Sequence, residues 1–152
     1  MNKAGDSNLK GMLSSSEINH IELNSFIDFA RFHEWSQGPV KAVQTLAPEG
    51  RIDIGDKVKV AFGGGISVTA EITENSPAEF RWRASLPGLL KAEHSFRFEE
   101  SKITPGSTTF VNSESFTGFL SLLPSGSHDG SSPGFEKFNQ SLKQRAERLE
   151  ES

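Results

Sequence analysis

The stretch that decides the fold is formed by residues 93–116 and reads EHSFRFEESKITPGSTTFVNSESF. On both sides of Thr104-Pro105-Gly106, polar and aromatic residues alternate, which is typical of two antiparallel strands joined by a turn. Symmetric pairing about Thr104 places three pairs of residues opposite each other: Phe98 and Phe110, Phe96 and Asn112, His94 and Glu114. The stretch therefore predicts a long hairpin with an aromatic inward face that three polar residues interrupt.

The same alternation continues upstream of the hairpin and predicts four further strands, over residues 40–44, 57–62, 66–73 and 80–84. Gly63-Gly64-Gly65 joins two of them in a hairpin turn, because glycine tolerates positive φ angles. Six strands joined mostly by short turns predict an antiparallel meander.

A second symmetric pairing, about the turn at 87–89, places Phe80 beside Phe96 and Trp82 beside His94. Trp82, His94 and Glu114 then form one row across three strands, and opposed Cβ atoms in such rows lie about 4.5–5.5 Å apart. At this distance the imidazole of His94 and the carboxylate of Glu114 are within reach of each other. The pair has three readings: a structural ion pair, a pair that orients a ligand, or an acid–base dyad. No nucleophile or oxyanion motif accompanies it, so the enzymatic signal is weak.

Helical periodicity appears at both ends of this strand region. Residues 17–32 carry apolar residues mostly three and four apart, which indicates helix. Pro133 occupies a first helical position, where its missing N–H costs nothing. An apolar stripe follows it: Phe135, Phe138, Leu142, Ala146 and Leu149. Such an amphipathic helix must cover the sheet, so the fold class is α+β.

The amino terminus differs in composition from the rest of the chain. Residues 1–16 are rich in Ser, Lys, Gly and Asn, which predicts a disordered or weakly ordered tail before a single domain over residues 17–152. This segment has no secretory signal, and no segment of the chain approaches the roughly 20 apolar residues of a membrane span. The sequence therefore predicts a cytoplasmic protein.

Composition and charge exclude several classes of partner. The formal net charge is −4, which argues against nucleic acid as a ligand. The chain has no cysteine, so thiol chemistry and disulfides are excluded. Its four histidines include no pair with the spacing of a helical zinc site, and we expect neither a metal site nor a cofactor. The 12 phenylalanines instead indicate apolar walls without hydrogen-bonding groups.

Several stretches resemble the SRPBCC or START-like superfamily, which includes polyketide cyclases/dehydrases and carriers of hydrophobic ligands. They are DFARFHEW (28–35), FRW (80–82) with LPG (86–88), EHSFRF (93–98), GSTTF to ESFTG (106–118), and GFE (134–136) with Asn139, Leu142 and Lys143. The resemblance implies a helix-grip fold, in which a curved antiparallel sheet wraps around a long C-terminal helix. The family normally opens with an apolar strand, whereas this chain offers only Leu9, Met12 and Leu13 among polar residues. We therefore expect about six strands, with the first family strand weak or missing.

The resemblance and the inward-facing residues together predict binding of a hydrophobic small molecule, such as a lipid or polyketide, in an apolar cavity between the sheet and the C-terminal helix. The expected ligand-binding residues are Trp35, Trp82, His94, Phe96, Phe98, Phe110, Asn112, Glu114, Phe116, Phe135, Phe138 and Leu142. One alternative is a polyketide cyclase/dehydratase-like enzyme that uses His94 and Glu114 as an acid–base pair. A further alternative is a protein-interaction module.

Overall fold

The structure, a computed structural model, describes residues 9–16, 24, 26–86, 90–103, 105, 107–117 and 133–150. Within these residues the strands are β1 (Leu9–Ser16), β2 (Val40–Thr45), β3 (Lys57–Phe62), β4 (Ser67–Asn75), β5 (Glu79–Leu86), β6 (Leu90–Glu100) and β7 (Ser107–Thr117). The α-helices are α1 (Phe32–Trp35) and α2 (Pro133–Glu150). Of the three 3₁₀ segments among these residues, Phe29–Arg31, Pro48–Gly50 and Gly63–Gly65, the first leads into α1.

All seven strands form one antiparallel sheet in the order β1-β7-β6-β5-β4-β3-β2. From β2 to β7 each strand pairs with the next, so the predicted meander is confirmed. Both predicted registers are also confirmed, since His94 lies opposite Glu114 on β7 and opposite Trp82 on β5. The register holds because β6 pairs with both neighbours without a shift. Register shifts occur instead in the β2–β3 and β4–β5 pairs.

The amino-terminal strand corrects the prediction that residues 1–16 lack order. Leu9–Ser16 form β1, which pairs with β7 from Leu9 opposite Glu114 to Ser16 opposite Ser107. The described residues therefore form seven strands instead of about six, because a strand is present where a weak or missing one was expected. The prediction was wrong for these residues because it weighed side-chain hydrophobicity alone. The free edge of β7 offers unpaired N–H and C=O groups to any segment that lies beside it, whatever its side chains.

Helix α2 covers the inner face of the sheet, which we define as the face that carries Phe96 and Phe110. Phe138, Leu142 and Ala146 are buried, as the predicted stripe requires, whereas Leu149 is 39% exposed in the last turn. The Phe138 ring centroid lies 5.9 Å from that of Phe96 and 6.4 Å from that of Phe110. The helix therefore packs on the sheet through these aromatic rings. The side chain of Phe135 lies outside the described part of the chain.

The helix predicted over residues 17–32 falls partly outside the described residues. Within them, Phe26, Phe29, Phe32 and Trp35 recur at intervals of three and are all buried. Phe26 contacts the sheet directly, with its ring centroid 4.4 Å from that of Phe96. This segment therefore fills the space between the sheet and α2 near the middle strands.

The outer face of β5 and β6 carries charged residues, because alternate side chains of a strand point to opposite faces. Arg83 and Glu93 are cross-strand partners there, and Arg83 Nη2 lies 2.7 Å from Glu93 Oε2. Arg81 also bonds to Glu79, at 2.6 Å. Arg81 and Arg83 therefore lie on the face opposite to Phe80 and Trp82.

Candidate functional site

A cavity of about 490 Å³ lies on the inner face of the sheet, among strands β3 to β7. Its lining residues are Phe62, Ser67, Val68, Thr69, Trp82, Ala84, Ser85, Ala92, His94, Glu114 and Phe116. The three hydroxyl residues among them are exposed, and Trp82 and His94 are buried. Small-molecule sites in proteins measure about 300–1,000 Å³ and combine apolar walls with a few polar groups. The cavity has the size and the lining of such a site.

The cavity exists because side chains become smaller along the inner face. Four residues form one row across β4 to β7: Ala70, Ala84, Ala92 and Phe116. The neighbouring row is Ile72, Trp82, His94 and Glu114, and the rows beyond it are built largely of phenylalanine. Two rows away, aromatic rings fill the volume above the sheet. The alanines, which lie opposite one another, are too small to do so. The row of alanines therefore opens the site within a continuous sheet.

His94 forms the boundary between the cavity and the packed core. Its ring stacks on Phe96 at 4.2 Å between centroids and meets the Trp82 ring edge-on at 5.8 Å. Burial lowers the pKa of His94 to about 4, against a smaller opposing effect of the hydrogen bond to Asn112. His94 is therefore a neutral imidazole at pH near 7.

A chain of hydrogen bonds selects the tautomer of this imidazole. Asn112 Nδ2 donates to Asn139 Oδ1 of α2 at 3.2 Å, which leaves Asn112 Oδ1 as the acceptor for His94 Nε2. The neutral ring thus carries its proton on Nε2, and Nδ1 has the lone pair. Asn112 and Asn139 are both buried, and this bond satisfies the amide N–H of Asn112 and the amide oxygen of Asn139. The arrangement links β6, β7 and α2 behind the cavity.

Glu114 is the carboxyl group of the cavity wall. Within the described residues it has neither a hydrogen bond nor an ion pair, although it lies opposite His94 in register. Burial raises its pKa to about 7. The two residues are cross-strand partners, as predicted, but the imidazole and the carboxyl group do not bond to each other, because His94 Nε2 bonds to Asn112 instead. The cavity wall therefore has a neutral imidazole, which Asn112 holds in one orientation, and a carboxyl group that is half ionised near neutral pH.

The structure divides the expected ligand-binding residues into two groups. Trp82, His94, Glu114 and Phe116 line the cavity. The others with described side chains lie in the packed core instead: Trp35, Phe96, Phe98, Phe110, Asn112, Phe138 and Leu142. One void of about 10 Å³, lined by described residues that include Phe96 and Phe138, lies between the sheet and α2 and has scarcely room for one water. The expected cavity between sheet and helix is thus occupied by aromatic rings in the described residues.

Sequence reasoning missed seven lining residues: Phe62, Ser67, Val68, Thr69, Ala84, Ser85 and Ala92. Alternation identifies an inward-facing position but does not separate a cavity wall from a filled core. The available signal was residue size, since Ala84 and Ala92 are inward-facing and paired with each other. Two small residues opposite each other among phenylalanines indicate a place where side chains leave volume unfilled.

Among the described residues, no helix is long and apolar enough to cross a membrane. In the same part of the chain, no three His, Cys, Asp or Glu side chains come together in a way that could hold a metal ion.

No protein-family model matches this sequence, and no curated protein matches it. Solved structures do resemble it. A START superfamily protein from Mycobacterium smegmatis is 15% identical with a TM-score of 0.69, over 95% of this chain and 99% of that chain. Ara h 8.0201 is 12% identical with a TM-score of 0.61, over 95% and 97%. Norcoclaurine synthase from Thalictrum flavum is 7% identical with a TM-score of 0.62, over 93% and 86%. These similarities confirm that the chain has the α+β helix-grip fold of START-like proteins.

Proposed function

We propose that the protein binds a hydrophobic small molecule in the cavity on the inner face of the sheet, and that Glu114 and His94 orient the polar end of this molecule. The observation that carries the proposal is the cavity of about 490 Å³ with mostly apolar walls and two converging polar residues. The ligand then lies beside Ala84 and Ala92 of β5 and β6 and not in the expected space beside α2.

Binding of a neutral apolar fluorophore, N-phenyl-1-naphthylamine, tests this proposal. Ala92→Phe places a ring in the cavity, so we expect probe affinity to fall at least about tenfold. Ala78→Phe is the matched control, because Ala78 is exposed in the turn before β5. Thermal unfolding of both variants establishes that they are folded. Undiminished probe binding by the Ala92→Phe protein would contradict the proposal. Mass spectrometry of molecules extracted from the purified protein then identifies the class of natural ligand.

A second candidate function, proton transfer on a bound ketide, is favoured by one observation. The Glu114 carboxyl group faces the cavity and its pKa is raised to about 7, close to the optimum for general acid–base catalysis. In this reaction His94 would position the substrate and would not transfer a proton, because its Nε2 proton is bonded to Asn112. Glu114→Gln should abolish turnover of a ketide substrate and retain its binding. Equal turnover by the wild type and this variant would remove the enzymatic candidate.

A further inference from the structure

In the part of the chain that the structure describes, the cavity wall has one carboxyl group and no cationic side chain. Among the described lining residues Glu114 is the acid, and none is Lys or Arg. Arg83 and Lys91, which are adjacent in sequence to the lining residues Ala84 and Ala92, belong to the outer face of β5 and β6, where Arg83 already pairs with Glu93. The sheet lies between those cations and Glu114. The charge inside the cavity is therefore compensated by no cationic side chain of the described residues.

A half-buried carboxylate without a partner is unstable relative to one in water, because removing charge from water costs free energy unless an opposite charge or hydrogen-bond donors replace the lost hydration. Glu114 has none of these among the described residues. Its register neighbours are Leu9 on β1 and the neutral His94 on β6. A cationic group entering the cavity supplies the missing partner.

The aromatic lining of the cavity favours the same kind of group. Phe62, Trp82 and Phe116 all line the space that Glu114 faces. The face of an aromatic ring carries partial negative charge and attracts ammonium groups, most strongly when water is excluded. An anionic ligand meets the opposite situation, because its charge repels the Glu114 carboxylate and gains nothing from ring faces.

From the unpaired carboxyl group of Glu114 and the aromatic walls around it, we infer that the ligand of this cavity is an apolar amine whose ammonium group pairs with Glu114. Its apolar body lies along Val68, Ala84 and Ala92, which form the hydrocarbon part of the lining. This inference rests on the proposed binding function and specifies its substrate class.

Three probes that share one apolar body separate this inference from the general binding function: naphthylethylamine, naphthylethanol and naphthylacetate. Calorimetric titration of the wild-type protein at about pH 8, where Glu114 is mostly ionised and an alkylamine is still protonated, gives their relative affinities. We expect the amine to bind at least about tenfold more tightly than the alcohol, and the carboxylate more weakly than both.

Two variants test whether Glu114 causes the preference for the amine. Glu114→Gln keeps the shape of the side chain and removes its charge, so the amine should lose its advantage over the alcohol to within about twofold. Glu93→Gln is the matched control, since it removes an acid of the same strand pair on the outer face and should retain the full preference.

The outcomes are distinct. Tight binding of the alcohol without a preference for the amine overturns the inferred class and leaves the proposed binding function standing. A preference for the amine that survives in Glu114→Gln also overturns the inference. Failure of all three probes to bind the wild type overturns the inference and the proposed function together.

Discussion

The two ends of the inner face differ in how they are filled. At one end the rings of Phe26, Phe96 and Phe138 are in contact, with centroids 4.4 Å apart for Phe26 and Phe96 and 5.9 Å for Phe96 and Phe138. At the other end Ala84 and Ala92 leave about 490 Å³. Strands β5 and β6 run through both ends without a register shift. Side-chain volume alone therefore converts a packed core into a candidate binding site along one pair of strands.

Truncation of a ring at each end tests this comparison most strongly. Phe96→Ala should lower the free energy of unfolding by about 3–5 kcal/mol, because the surrounding rings cannot close the space it leaves. Phe116→Ala removes the same group from the half-buried cavity wall, where fewer contacts are lost, and should cost under about 2 kcal/mol. Urea denaturation measures both. Equal losses would mean that the two ends are equally well packed.

Close packing at the filled end also predicts a steric effect at Gly38. A Cβ added there lies 2.6 Å from Phe138 Cβ, so Gly38→Ala must displace α2 and should destabilise the protein by about 1–3 kcal/mol. Gly63→Ala is the control, because its nearest neighbour is Lys41 Cε at 3.8 Å, and it should change stability by less than about 0.5 kcal/mol. A Gly38→Ala protein as stable as the control would show that α2 does not approach this closely.

The open end predicts a characteristic pH dependence. The folded-state pKa of Glu114 is raised to about 7, so the folded protein binds this proton more tightly and the carboxyl lowers stability as pH rises from about 4.5 to 7. His94, with a pKa lowered to about 4, acts in the opposite direction between about 4 and 6.5. The free energy of unfolding of the Glu114→Gln protein should therefore exceed that of the wild type by on the order of 1–2 kcal/mol at pH 8.

Urea denaturation of both proteins at a series of pH values measures that difference. The gain should be absent below about pH 4, where Glu114 is protonated in both the folded and the unfolded chain. A stability difference that does not change with pH would show that the carboxyl group titrates as it does in water.

Adding volume at two alanines of one row, one in the cavity wall and one in the core, is expected to have its smallest effect at the cavity wall. Ala92→Leu adds volume to the cavity and should change the free energy of unfolding by less than about 1 kcal/mol in either direction. Ala70→Leu adds the same volume in the same row of residues, but Ala70 is only 1% exposed and does not line the cavity. It should therefore cost more, and calorimetric melting of the two proteins compares them. The reverse order would place the cavity elsewhere.

Much of the sheet could be predicted because most of its strands pair with the next strand in the sequence, through a short turn. The turn about Thr104 and the turn at 87–89 each fix the strands that they join, so the row of Trp82, His94 and Glu114 follows from counting residues. Strand β1 could not be found in this way, because its partner β7 lies nearly 100 residues away in sequence and supplies the hydrogen bonds that order it. Pairing between distant segments carries little local signal.

The candidate site was predicted only in part for a related reason. Four of the expected residues line the cavity, and seven others with described side chains belong to the packed core. Both groups share the same alternation, so periodicity does not distinguish them. His94 illustrates the difference, since its position opposite Glu114 was predicted and its hydrogen bond to Asn112 was not.

By itself, the sequence determined the fold class, the meander, the registers of the two hairpins and the inward direction of the phenylalanines, because these depend on turns and on a period of two. Only the tertiary structure decided where the inner face is filled and where it is open. That outcome depends on how α2 and the segment around Phe26 occupy the volume above each row. It also decided the state of Glu114, since the environment that raises the pKa of this carboxyl group is assembled from five strands.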